Sequence, residues 1–303
     1  MATSTSTATI ATLISSTAEL EAFISSISTS SKLYIDLEGN NLCRHGTISL
    51  ITILLHPQKI VRVIDVISLG EASFTTTSKD GKSLKSIFED PDIPKCLWDV
   101  RNDADALWAH YKVGLAGVVD IQLLENASRA GEKTYLRGLD KAIQFDLSLG
   151  FMERNLWIRS KKETKSLMSS NIFSARPVEA KTLQYCANDV IHLPELHALY
   201  LRRISRDWLA KAKEQSSRRV EEAHSPAYVP QSASKALGPW GSGAPKGLMT
   251  LDEFCDALED QAIEDREREM LGDYDQYDDY YDDGPTSCRD IIDDCDYHYY
   301  YSD

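Results

Sequence analysis

Between Lys32 and Leu69 the chain passes through three apolar, β-branched stretches with no helix-forming segment between them. KLYIDLE (32–38) is followed by HGTISLITILLH (45–56) and, after a turn marked by Pro57, by KIVRVIDVISL (59–69). Strand composition repeated at turn-length separations predicts an antiparallel meander. Elements on either side of the meander have to cover it. Upstream, TIATLISS reads as a strand and TAELEAFISSI as an amphipathic helix, with Leu20, Phe23 and Ile24 at helical spacing and Thr17 as its N-cap. Downstream the pattern alternates. KSLKSIFED is helical, KCLWDV a short strand, DADALWAHY the start of a helix and VGLAGVVDI a further strand, and a helical region runs from about Pro177 to Glu214. Meander plus alternation predicts an α/β domain over residues 10–215.

The first of the three strands carries an oddity. In a strand, positions i and i+2 share a face, so Tyr34, Asp36 and Glu38 project together while Ile35 and Leu37 pack on the other side. Adjacent carboxylates in a partly buried place repel each other and lose hydration, which is costly unless a cation or donor compensates. The alternative is an exposed edge strand with two solvated acids. A second acidic cluster follows a strand, in WDVRNDADALWAHY. Asp103 and Leu107 share a helix face, with Tyr111 one turn on, and Asp105 points away. That makes Asp103 either an inward acid or an ordinary acid at a helix N-terminus. The third cluster lies in TLQYCANDVIHLPELHALY. There Tyr185 and Asp189 are four residues apart at the edge of an apolar line through Val190, Leu193, Leu196 and Tyr200, an unusual place for an acid unless it is simply solvated.

Taken in order, DLE (36–38), RND (101–103) within WDVRNDADAL, and YCAND (185–189) resemble the three exonuclease motifs of the DEDDy-type 3′-5′ exonuclease family, which includes ribonuclease D and the Werner-type exonuclease domain. LEGNNLCRHGTISLITI is similar to the eukaryotic exonuclease 3′-5′ domain-like members, and RPVEAKTLQYCANDV matches the surroundings of the third motif. The resemblance implies a ribonuclease H-like fold: a mixed five-stranded sheet with flanking helices, the first three strands antiparallel. It also implies metal-dependent 3′-5′ exonuclease activity on the 3′ end of RNA or DNA, with two divalent ions, Mg²⁺ or Mn²⁺. Asp36, Glu38, Asp103 and Asp189 would hold the ions and Tyr185 would orient the attacking water. Asp36 would bridge both ions, Glu38 and Asp189 would hold the water-activating one, and Asp103 would reach the second. Asp120, in GVVDIQLL, resembles a supporting acid, though helix capping explains it equally well. Arg44 and His45, at the turn after the acidic pair, are candidates to meet substrate phosphates. An alternative from another class is a catalytically weak or inactive nucleic-acid-binding adaptor on the same fold.

Charge divides the chain. From Thr250 to Asp303 there are 20 acids and 3 bases, a net −17, which leaves 27 acids and 30 bases, a net +3, in residues 1–249. A mildly basic body is compatible with a polyanionic ligand. Residues 1–9 read as a flexible leader, 216–249 as a linker on account of the Pro, Gly and Ser in SPAYVPQSASKALGPWGSGAPKG, and 250–303 as an acidic tail. In the tail, TLDEFCDALEDQAIEDREREML is expected to form one helix, and the final 31 residues, with eight tyrosines among the acids, to be disordered. Such a tail is a candidate contact for a protein partner. Six cysteines without a CxxC pair point to free thiols in a reducing setting. The uncharged first 18 residues lack the marks of a signal or transit peptide, and no stretch is long and apolar enough for a membrane span. The expected location is intracellular, in nucleus or cytoplasm.

Overall fold

The computed structural model describes residues 11–150, 157, 159 and 172–240. The expected leader, the acidic segment 250–303 and the last part of the expected linker lie outside the described residues. Six strands form one mixed sheet: β1 (Thr12–Ile14), β2 (Lys32–Glu38), β3 (Leu50–His56), β4 (Ile60–Asp65), β5 (Lys95–Leu97) and β6 (Val118–Asp120), in the order β1-β4-β3-β2-β5-β6. The meander is present as expected. β2 pairs antiparallel with β3 (Asp36 opposite Thr52), and β3 pairs antiparallel with β4. β5 lies parallel to β2, and β6 parallel to β5. The count is six, not five, because β1 adds to the far edge, parallel to β4.

The sheet is flanked by the helices α1 (Thr17–Ser25), α2 (Val66–Leu69), α3 (Ala72–Thr75), α4 (Leu84–Glu89), α5 (Arg101–Tyr111), α6 (Ile121–Ser128), α7 (Leu139–Asp146), α8 (Ala180–Ile191), α9 (Leu193–Arg203) and α10 (Arg206–His224). The cap of α1 is Ser16 and not Thr17. Its hydroxyl accepts from Glu19 N, and the Glu19 carboxylate accepts from Ser16 N, closing a capping box that Thr17 has no glutamate at the right spacing to form. The helical run after Pro177 is two helices. Pro194 in the first turn of α9 has no N–H to continue the α8 ladder, so the axis changes at His192.

The expected domain end at 215 falls inside α10, which continues to His224 and packs on α5, α6 and β6. Its buried stripe is Ala212, Ser216, Arg219, Val220 and Ala223, at helical spacing but small or polar, which is why apolar periodicity fades there. Much of the expected linker is ordered too. After α10, residues 225–240 pack back on the body: Leu136 N donates to Ala236 O at 2.9 Å, Gly238 N to Thr134 O at 2.7 Å, and Trp240 Nε1 to Asn126 Oδ1. Among the described residues these ties reach Trp240, the last of them.

Candidate active site

β2 runs through the middle of the sheet, so both of its faces are covered. Leu33, Ile35 and Leu37 join the core formed with Leu20, Phe23 and Ile24 of α1, whereas Tyr34 joins the core formed with Val190 of α8 and Leu196 and Tyr200 of α9. Alternation therefore sends Asp36 and Glu38 to the face covered by α8. The chain turns directly after Glu38. A Cβ on Gly39 would stand 1.8 Å from Thr47 O, so only glycine allows the loop to fold back, where Ser49 N donates to Glu38 O at 2.7 Å.

α8 is seated over β3 and β4 through Leu50, Val63, Phe173, Tyr185 and Cys186. Arg176 fixes the approach to this helix by gripping the Asp65 carboxylate at the end of β4 with Nη2 and Nε, at 2.5 and 2.7 Å. Sequence reading passed over Asp65; its bidentate partner lies 111 residues away. The result places the carboxylates of Asp36, Glu38 and Asp189 so that one oxygen of each lies within 4.8 Å of the others. Tyr185, one turn before Asp189, is buried beside them. Burial first, then the charges of Asp189, Glu38 and Asp36, push its phenol far above the usual 10.0.

Asp103 lies in the first turn of α5, buried, and outside that group of three. Its carboxyl is held well above the usual carboxylate range, by burial foremost and then by the charges of Asp36 and Asp99, with Lys235 partly offsetting them. The start of α5 is tethered by Asp120, which accepts from Asp99 N and Val100 N at 3.1 Å each and also caps α6 through Gln122 N. The supporting and the capping readings of Asp120 thus describe the same residue. Arg219 of α10 neutralises it at 2.6 Å, and Ser216 accepts from Asp120 N at 3.1 Å. Burial works against the Asp99 carboxylate, but Arg101, Arg219 and Lys235 outweigh it and keep its pKa below the usual value.

Arg44 does not face the acids as a free phosphate ligand. It is ion-paired with Asp105 at 2.6 Å and donates to Ala223 O and Ser225 O at 2.8 Å each, binding the loop after β2 to α5 and the end of α10. Asp105, pointing away from the site as expected, is buried to receive it. His45 is exposed on the same loop. A cavity of about 320 Å³ opens beside the acids, bounded among others by Glu38, Asn41, Asn102, Phe173 and Gln231. Asn102 and Gln231 were not singled out from sequence; Asn102 sits inside the RND motif, and Gln231 in the stretch read as linker.

Hard carboxylate oxygens from three side chains around one point suit a divalent cation such as Mg²⁺ or Mn²⁺. A mixed sheet with flanking helices that gathers such acids beside a cleft is the ribonuclease H-like exonuclease fold. More narrowly, the chain belongs to the 3′-5′ exonuclease family, of DEDDy type, whose family model matches residues 11–203. Among curated proteins it is 25% identical over 180 residues to the mouse (Mus musculus) piRNA biogenesis protein EXD1, a match that spans 58% of this chain and 30% of that protein. Among solved structures it is similar to Trypanosoma brucei RNase D in complex with GMP, with a TM-score of 0.63 and 21% identity over 75% of this chain and 69% of the other. Escherichia coli RNase D, described as an exoribonuclease involved in structured RNA processing, matches with a TM-score of 0.52 and 19% identity over 71% and 50% of the two chains. Metal dependence is typical of the family.

Proposed function

We propose that this protein is a metal-dependent 3′-5′ exonuclease that hydrolyses the terminal phosphodiester of a nucleic acid with two divalent ions, Mg²⁺ or Mn²⁺. The observation that carries this reading is the convergence of Asp36, Glu38 and Asp189 from β2 and α8 to within 4.8 Å at the edge of an open cavity. Those three residues would hold the metal, with Asp103 completing the set. Bound there, the ions would supply a hydroxide at neutral pH and positive charge for the phosphate oxygens.

The remaining duties belong to the chain. Burial and the charges of Asp36 and Asp99 push the Asp103 carboxyl well above the usual carboxylate range, and the positive charge of a bound cation would favour its ionised form. Tyr185 stays neutral at any physiological pH and cannot serve as a base; its hydroxyl orients water by hydrogen bonding. Asp120 and Arg219 keep the first turn of α5, and with it Asp103, in place. RNase D bound to RNA in a related structure supports nucleic acid as the substrate class.

The test is incubation of the full chain with 5′-labelled and 3′-labelled single-stranded RNA and DNA, in Mg²⁺, Mn²⁺ or EDTA. A 5′-labelled strand should shorten stepwise with metal present, and a 3′ label should leave as a mononucleotide. Asp36→Asn should abolish hydrolysis, while the melting temperature in EDTA holds or rises because one of several mutually repelling carboxylates is gone. Full turnover by that variant contradicts the reading. Tight metal-dependent binding of nucleic acid without cleavage by the wild type would point to an adaptor instead.

A further inference from the structure

The segment after α10 does not lead away from the body; it runs past the cavity beside the acids. Tyr228 Oη and Lys235 Nζ both donate to Asn102 Oδ1, at 2.7 and 2.6 Å. An ammonium has only donors, so the Asn102 atom it meets has to be the amide oxygen. That orientation commits the oxygen of Asn102 to the segment and leaves its Nδ2 donors for the cavity, which Asn102 lines. Arg101, the preceding residue, donates to Lys235 O at 2.9 Å, a second tie between the start of α5 and the same segment. Gln231 lines the cavity as well and donates to Asn41 Oδ1 in the loop after β2 at 3.1 Å. Segment and loop therefore meet at a cavity whose lining also includes Glu38.

The lining has a definite chemistry. Four side-chain amides, of Asn40, Asn41, Asn102 and Gln231, offer hydrogen-bonding groups, Phe173 offers an aromatic ring, and Glu38 connects the space to the carboxylate cluster. At about 320 Å³ the cavity matches the lower end of small-ligand sites, roughly 300 Å³, a size that suits one nucleotide. A nucleotide presents hydrogen-bonding edges to amides and a flat base to an aromatic side chain. Resting on the exonuclease reading above, we infer that residues 225–240 form a substrate-recognition wall. Gln231 of this wall and Asn102 of α5, beside it, hydrogen-bond the 3′-terminal nucleotide, and Lys235 and Tyr228 are positioning residues that hold Asn102 oriented for it. This wall lies beyond residues 11–203, the stretch matched by the family model.

The experiment uses the full chain and 5′-labelled 12-nucleotide single-stranded RNAs that differ only in the 3′-terminal nucleotide. Cleavage is measured as KM and kcat, and binding in EDTA by fluorescence anisotropy. Gln231→Ala is expected to raise KM and the dissociation constant about 5- to 30-fold, the order expected for losing one or two hydrogen bonds to the nucleotide, with the loss falling on KM more than kcat. Differences among the four terminal nucleotides should shrink. Lys235→Met should act in the same direction, and Lys235→Arg, which keeps a donor, should recover most of the loss. If Gln231→Ala leaves both KM and terminal-nucleotide preference as in an active wild type, the wall is refuted and the exonuclease reading stands. Equal losses in all measures together with a lower melting temperature would make the segment structural and refute it too. A wild type that neither binds nor cleaves overturns the exonuclease reading itself.

Discussion

Tyr185 and His197 show how burial decides what one side chain contributes. Tyr185 lies among three carboxylates that all oppose loss of its proton, so its contribution is the position of a neutral hydroxyl. Tyr185→Phe should therefore lower turnover roughly 10- to 1000-fold, the range typical of orienting and proton-handling groups, while metal affinity measured by calorimetry stays nearly unchanged. Collapse of metal binding in that variant would make the phenol structural. His197 of α9 is buried against Tyr34, with Nδ1 3.1 Å from the phenol oxygen and 3.7 Å from Cys96 Sγ. Burial first, then the charges of Lys32 and His56, push its pKa from 6.5 down to about 4. The unfolded chain thus binds a proton that the folded chain excludes between those values. Stability from this site is complete above about pH 6.5 and is lost as pH falls toward about 4, to a limit of about 3 kcal/mol. In urea unfolding between pH 7 and 4.5, His197→Gln should show a shallower fall than wild type; parallel profiles would contradict a neutral, buried imidazole.

Among elements, α10 acts on the site through Asp120 and the start of α5. Arg219 places its guanidinium against Asp120, which in turn holds the start of α5, and both are almost wholly buried. Removing one partner of such a pair strands the other, at a cost of about 3–5 kcal/mol. Arg219→Met should accordingly lower the unfolding free energy by about that much, and adding Asp120→Asn should restore part of it, because the stranded charge is then gone. A double variant as unstable as the sum of the singles would refute the coupling. This helix also shows where sequence reading stops. The meander is legible because β2, β3 and β4 are apolar runs of strand length, and the acidic face follows from the two-residue period that groups Tyr34, Asp36 and Glu38. Asp103 is legible as inward through its spacing to Leu107, and Tyr185 and Asp189 through theirs to each other. The lower half of α10 is not, because its buried stripe includes Ser216 and Arg219, whose partners are distant in sequence. Nor is the fate of Arg44, since an arginine in a polar turn gives no local sign that Asp105 awaits it 61 residues on. The same holds for 225–240, where Pro, Gly and Ser describe a loop but not what the loop packs against.

At the scale of the whole molecule, where the body ends decides what can be removed. Truncation at 215 would delete the turns of α10 that bury Ser216, Arg219, Val220 and Ala223, and with them the ties of 225–240 to Thr134, Leu136 and Asn102. It would expose the faces of α5, α6 and β6 that α10 covers and leave Asp120 without its arginine. A domain whose net stability is of the usual order, about 5–15 kcal/mol, does not survive that combined loss. Truncation at Pro245 keeps all of these contacts. It removes an acid-rich segment whose sequence has too few apolar residues for a core of its own. A chain ending at 245 should therefore unfold cooperatively within a few degrees of the full chain, about the shift expected for a change below 1 kcal/mol. A chain ending at 215 should be insoluble or melt without a cooperative transition. Thermal unfolding of the two truncations beside the full chain decides it: a cooperative 1–215 fragment as stable as the full chain would return the end of the body to 215, and a 1–245 fragment that fails to fold would extend the body into the acidic segment.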